Sequence, residues 1–177
     1  MLRGVTAGVP AQANPNPLYP TTDFYVIMMD KETFWELINY IDREALHNGD
    51  DEEAVEPLVH ALTHLTIPKI EAFENHIAQS LYDIDGEIYA THAGASEGSD
   101  DAFLYCRCYV VAQGREYYEA VKLNPSRMPK QLEHWFEPLL YVSEAAWSSV
   151  TGRDSSEWEF ESSVSYETGS NSAHWLR

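Results

Sequence analysis

The chain has 177 residues, 44% of them hydrophobic, and 11 Lys+Arg against 29 Asp+Glu give a formal charge of −18. That is one acidic domain with enough apolar surface for a core, which argues against global disorder and against a general nucleic-acid binder, since neutralising phosphates takes clustered cations. No apolar run approaches the roughly 20 residues that span a bilayer, and Met1-Leu2-Arg3-Gly4-Val5 lacks the apolar stretch of a secretory signal, so a soluble cytoplasmic protein is expected with no membrane partner.

In chain order, Pro10, Pro15, Pro17 and Pro20 stand among small and polar residues, a composition that favours extended chain. An extended arm is expected over residues 1–29, ending in the apolar run Phe24-Tyr25-Val26-Ile27-Met28-Met29 that leads into the first helix. Asp30 is placed to cap that helix, and Met29 and Phe34 occupy the two positions of a hydrophobic staple. Phe34, Leu37, Ile38 and Ile41 share one stripe, and His47-Asn48-Gly49-Asp50 ends the segment. A second helix is expected through Val55, Leu58, Leu62 and Leu65, with Asp50 to Glu53 at the positive end of its dipole and Pro57 delaying its start.

Thr66 is placed to cap a third helix with Pro68 in its first turn, where a missing amide hydrogen costs nothing. Ile70, Phe73, Ile77 and Leu81 form its stripe, and Gly86 interrupts it before a short helix over residues 87–91 and a small-residue loop at 94–98. Ser99 is placed to cap a central helix, with Asp100 and Asp101 in its dipole-favoured first turn. After Gly114, residues 115–121 predict another helix closed by Asn124-Pro125. A last helix is expected from Glu133 or Trp135 to Val150, with Pro138 near its start and Gly152 beyond its end. The sum is a single compact all-α domain of six to seven helices over residues 30–152. The polar tail, residues 153–177, carries many serines but also Trp158, Phe160 and Tyr166, so loose docking is expected.

Met29-Asp30-Lys31-Glu32-Thr33-Phe34-Trp35-Glu36-Leu37-Ile38 resembles the opening of a bacterial family catalogued as domain of unknown function 4240. The second hallmark of that family, Ser-Asp-Asp, an aromatic, an aromatic-Arg pair, an apolar run and Gln-Gly-Arg-Glu, is matched by Ser99-Asp100-Asp101 through Phe103 and Arg107 to Gln113-Gly114-Arg115-Glu116. Cys106 stands where the family has an aromatic, and Tyr109 where it has Trp; both keep an apolar body. The likeness runs from about Asp30 to Gly152. It implies a bacterial setting and assigns no activity.

Two accounts of the polar motif are open. Ser99, Asp100 and Asp101 form either a capped helix start or a cation or acid–base site, with Arg107, Gln113 and Arg115 orienting an anionic ligand. Asp100 and Asp101 lie about 100° apart around a helix, which works against convergence. Arg107, inside an apolar helix, needs a carboxylate or carbonyl, so a buried structural ion pair is the simpler account. His60 and His64 have a metal-ligand spacing, with His76, Glu71 or Glu74 as conceivable third ligands, but nothing in the sequence fixes one, and neither metal nor cofactor is expected. Cys106 and Cys108 point about 200° apart on a helix and are expected to be free buried thiols.

Acidity combined with aromatics suits a basic protein partner, with Trp35, Trp147 and Trp158 as candidate anchors and Tyr82 and Trp175 as further exposed rings. The leading expectation is a non-enzymatic interaction module, immunity-like or regulatory. The alternatives are a small hydrolase or ligand-binding protein around Ser99-Asp100-Asp101 and Arg107, or a DNA mimic.

Overall fold

The computed structural model describes residues 29–94, 99–131 and 134–175. The expected arm up to residue 28, the loop at 95–98 and a helix start at Glu133 lie outside the described residues. Among the described residues the fold is all-α, with eight α-helices and no strand. These are α1 (Lys31–Ile38), α2 (Arg43–Asn48), α3 (Asp51–Leu62), α4 (Ile67–Asp83), α5 (Glu87–His92), α6 (Asp100–Ala112), α7 (Arg115–Leu123) and α8 (Val142–Thr151).

The extra helix arises where one was expected through Ile41. The Asp30 carboxylate accepts from the Thr33 amide at 2.7 Å and starts α1. The chain then turns at Asn39, and Asp42 accepts from the Glu44 and Ala45 amides at 2.9 and 3.1 Å, starting α2. A second capping carboxylate thus divides the predicted helix in two.

Of the prolines expected near helix starts, Pro138 stands where it was expected and Pro57 does not. Pro57 lies inside α3 instead of delaying it; its ring is exposed, so water can solvate the carbonyl that loses its helical partner. Pro138 belongs to a 3-10 turn, Glu137–Tyr141, and α8 begins only at Val142. Gly152 closes α8 with φ 68°, a left-handed cap that an L side chain adopts only with strain. Thr66 precedes α4 as expected, but its hydroxyl makes no capping hydrogen bond.

α6 is the centre of the fold. It buries Phe103, Leu104 and every residue from Cys106 to Ala112, and it packs on α4, α7 and the 137–141 turn. α8 covers α3 and α4 from the other side. From Cys106 to Ala112 side chains on all faces of α6 are therefore enclosed.

The C-terminal segment is firmly docked, not loosely. From Glu159 to Ser170 exposure alternates residue by residue, with Phe160, Ser162, Val164, Tyr166 and Thr168 turned towards the helices. As far as Tyr166 that period of two is the geometry of an extended chain lying on one face, and a hydrogen-bonded turn over Glu167 to Ser170 follows. Trp158 meets Trp147 edge-on at 5.6 Å, and the Ser163 amide donates to Asn75 Oδ1 at 2.8 Å. Near its end, the His174 carbonyl accepts from the Glu87 amide at 3.1 Å. Gly86 permits this approach, since a Cβ there would meet His174 Cβ at 2.6 Å.

Candidate functional site

Arg107 is fully buried on α6 and donates to the Leu81 carbonyl at 2.9 Å, the Tyr166 carbonyl at 3.0 Å and Thr168 Oγ1 at 3.1 Å. Its guanidinium also lies 4.8 Å from the Phe103 ring centroid and 3.9 Å from Asp85 Oδ1. Burial pulls the guanidinium's pKa down and the Asp85 charge opposes that pull. Asp85, equally buried, accepts from the Gly169 and Asn171 amides at 3.1 and 2.9 Å and from Trp175 Nε1 at 3.1 Å. Two buried charges are thus solvated largely by the C-terminal segment, which makes Arg107 a structural arginine here.

Of the other members of the predicted polar site, Asp100 reaches this cluster through its backbone carbonyl and the Thr168 hydroxyl, and no other side chain of the set does. Ser99 Oγ accepts from the Ala102 amide at 3.3 Å, the capping bond expected of it. Asp100 and Asp101 are exposed in the first turn, and the Asp100 backbone carbonyl accepts from Thr168 Oγ1 at 2.7 Å. Gln113 sits at the far end of α6 as its C-cap. Arg115 is engaged by Glu32 at 2.6 Å, with both side chains in solvent. The six residues therefore line no common cleft.

His60 and His64 are exposed, edge to face at 4.8 Å, and His64 Nδ1 donates to the His60 carbonyl at 2.9 Å. His76 donates through Nε2 to the Met29 carbonyl at 2.7 Å. No group of three or more His, Cys, Asp or Glu holds metal-binding geometry among the described residues. Cys106 and Cys108 are free and buried, and burial pushes the Cys106 thiol up to about 12.

The aromatic anchors also redistribute. Trp35 and Trp147 belong to the core at 3% and 6% exposure, so neither is available to a partner. Trp158 is half-buried between Trp147 and Phe160, and Tyr82 and Trp175 are half-buried too. Trp35 and Trp147 each follow directly on a buried residue, Phe34 or Ala146, so α1 and α8 bury a face wider than the narrow stripe that periodicity picks out. Among the described residues the exposed rings are instead Tyr40, Trp135 and Tyr141, at 55%, 49% and 51%, and the last two lie together.

Around these rings two cavities adjoin at Tyr141. One, of about 520 Å³, is lined by Asp51, Glu52, Tyr105, Trp135, Glu137, Pro138 and Tyr141. Tyr141 donates its hydroxyl to Glu137 Oε1 at 2.8 Å, and that bond to a carboxylate, with burial, pushes the phenol up to about 12. The other, of about 460 Å³, lies where the extended C-terminal segment crosses α4 and α8; Glu74, Glu144, Glu161 and Glu167 are in its walls with Trp158 and Tyr166. The sequence offers Glu74 only as a third ligand beside His60 and His64. The signal for it was an acid on the buried side of α4, one residue from Phe73.

No helix among the described residues is long and apolar enough to cross a membrane. No curated protein and no solved structure matches the chain. The model of one family does match, over residues 29–149, and so takes in α1 to nearly the end of α8 while leaving out the C-terminal segment that seals Arg107 and Asp85. The chain belongs to that family, described as Protein of unknown function (DUF4240).

Proposed function

We propose that the protein is a non-enzymatic interaction module, immunity-like or regulatory in kind, acting in a bacterial cytoplasm by binding a basic protein partner. The observation that carries this reading is the surface around Tyr141. Trp135 and Tyr141 are about half exposed, and Asp51, Glu52 and Glu137 surround them. Exposed rigid aromatics supply anchoring area, and the carboxylates beside them favour a cationic complement and disfavour acidic competitors. The net charge of −18 adds long-range steering of a basic partner. No comparable observation favours the hydrolase reading, because Ser99 and Arg107 are engaged in structural bonds while Asp101 and Gln113 stand at opposite ends of α6.

The test is recovery of partners from the native host at low salt on two baits, the wild-type protein and a Trp135→Ala/Tyr141→Ala variant. The expected result is a stoichiometric basic protein retained by the wild type, released by high salt and absent from the variant. Equal retention by both baits, or an acidic or absent partner, contradicts the reading.

A further inference from the structure

The cavity between α4, α8 and the C-terminal segment has an acidic lining without a counterion. Glu74, Glu144, Glu161 and Glu167 come from three separate stretches of chain, and among the described residues no Lys, Arg or His lines the cavity. Glu74 is the buried member, with 6% of its surface exposed, and its Oε2 has no hydrogen-bond partner among the described residues. An orphaned carboxylate oxygen at that depth is disfavoured unless a cation or donor meets it. Trp158, Tyr141 and Tyr166 add aromatic surface to the same walls, which attracts cations through the ring faces.

From this geometry we propose that the cavity is a binding site for a primary alkylammonium group, with Glu74 as its anionic anchor. The acids do not converge at metal-binding geometry, so the site suits an organic cation better than a bare ion. A volume of about 460 Å³ admits an alkyl chain behind the charge. One inward carboxylate with further acids on separate segments suits a compact ammonium with three rotatable donors, whereas a guanidinium fork takes both oxygens of one carboxylate. The same chemistry is offered by a lysine side chain and by a free aliphatic diamine. The site shares only Tyr141 with the surface proposed for a protein partner, so the two readings stand or fall separately.

Protonation gives the site a distinctive readout. Burial and the neighbouring Glu144 charge push Glu74 up to about 7, and the Ser143 hydroxyl offsets this only in part. The other groups coupled to its charge are Cys108 on α6 and Tyr166 on the C-terminal segment, with Glu161 and Glu167 in the same cavity lining. At pH 6.5 an arriving ammonium therefore drives a proton from Glu74 into the buffer.

The experiment is isothermal titration of the full chain at pH 6.5 with 1,4-diaminobutane and, separately, with Nα-acetyl-lysine amide, in two buffers of different ionisation heat. Saturable binding with net proton release, weakened at least about tenfold in Glu74→Gln, is the expected result. Tighter binding of the diamine identifies a free amine as the ligand class, and tighter binding of the lysine amide identifies a side chain. Binding of neither probe to the folded wild type, or equal binding to wild type and Glu74→Gln, overturns the proposal. Circular dichroism of the Gln variant, expected to match the wild type, shows that loss of binding is not loss of fold.

Discussion

Arg107 and Asp85 face each other at 3.9 Å with both side chains sealed from solvent, and the C-terminal segment supplies hydrogen bonds to each. A chain that leaves its helical domain at Gly152 thus returns to complete that domain's interior polar cluster. Removing one charge strands the other. Arg107→Met and Asp85→Leu are each expected to destabilise the fold by about 3–5 kcal/mol, and the double variant by less than the sum of the two. Chemical denaturation of the four proteins measures this cycle; additive losses would show that the two charges are independent.

Truncation after Gly152 removes the Tyr166, Thr168, Gly169, Asn171 and Trp175 contacts at once while leaving the whole matched family region in place. The truncated chain is expected to unfold at least about 3 kcal/mol more easily than the full chain. Replacing Arg107 and Asp85 together by Met and Leu in the truncated chain should recover part of that loss, read by the same denaturation curves. No recovery would place the loss elsewhere in the segment.

Glu74 gives a pH dependence of definite sign. Its folded pKa, about 7, lies above the ordinary 4.5, so the folded state holds the proton more tightly than the unfolded chain between those values. Stability from this group is therefore full below about pH 4.5, falls as pH rises to about 7 and is flat above. Glu74→Gln cannot ionise and is expected to exceed the wild type by about 2–4 kcal/mol at pH 8 and to match it near pH 4. Paired urea melts across this range measure the difference, and a constant difference would contradict the raised pKa.

Much of the helical frame was legible because local chemistry fixed it. Asp30 and Ser99 bind the amides that their positions predict, and Gly152 and Asn124-Pro125 end helices where they were expected to. Non-local chemistry was not legible. Asp85 lies beside Gly86 in what reads as a helix-ending turn, and only the fold brings it to Arg107 and to Trp175. The alternation of Trp158, Phe160, Val164, Tyr166 and Thr168 did carry a period-two signal, masked by serines that read as a solvated tail. Exposure of aromatics misled most. Trp35 and Trp147 are core residues, while Trp135 owes its exposure to the non-helical stretch before the 137–141 turn.

Ser99→Ala removes the capping bond at the start of α6 and is expected to cost about 1 kcal/mol, without effect on alkylammonium binding. The cysteines are expected to resist alkylation in the folded protein, because burial keeps both as thiols and excludes reagent. Labelling with iodoacetamide before and after denaturation, followed by mass analysis, checks this; rapid native labelling would mean that α6 opens readily.

The central claim, recognition of a basic partner by an acidic aromatic surface, is tested most directly by the ionic-strength dependence of association with the recovered partner. The association rate is expected to fall at least about tenfold between 20 and 500 mM salt, while Trp135→Ala mainly speeds dissociation. An association rate unchanged by salt, or a dissociation rate unchanged by Trp135→Ala, would contradict the account.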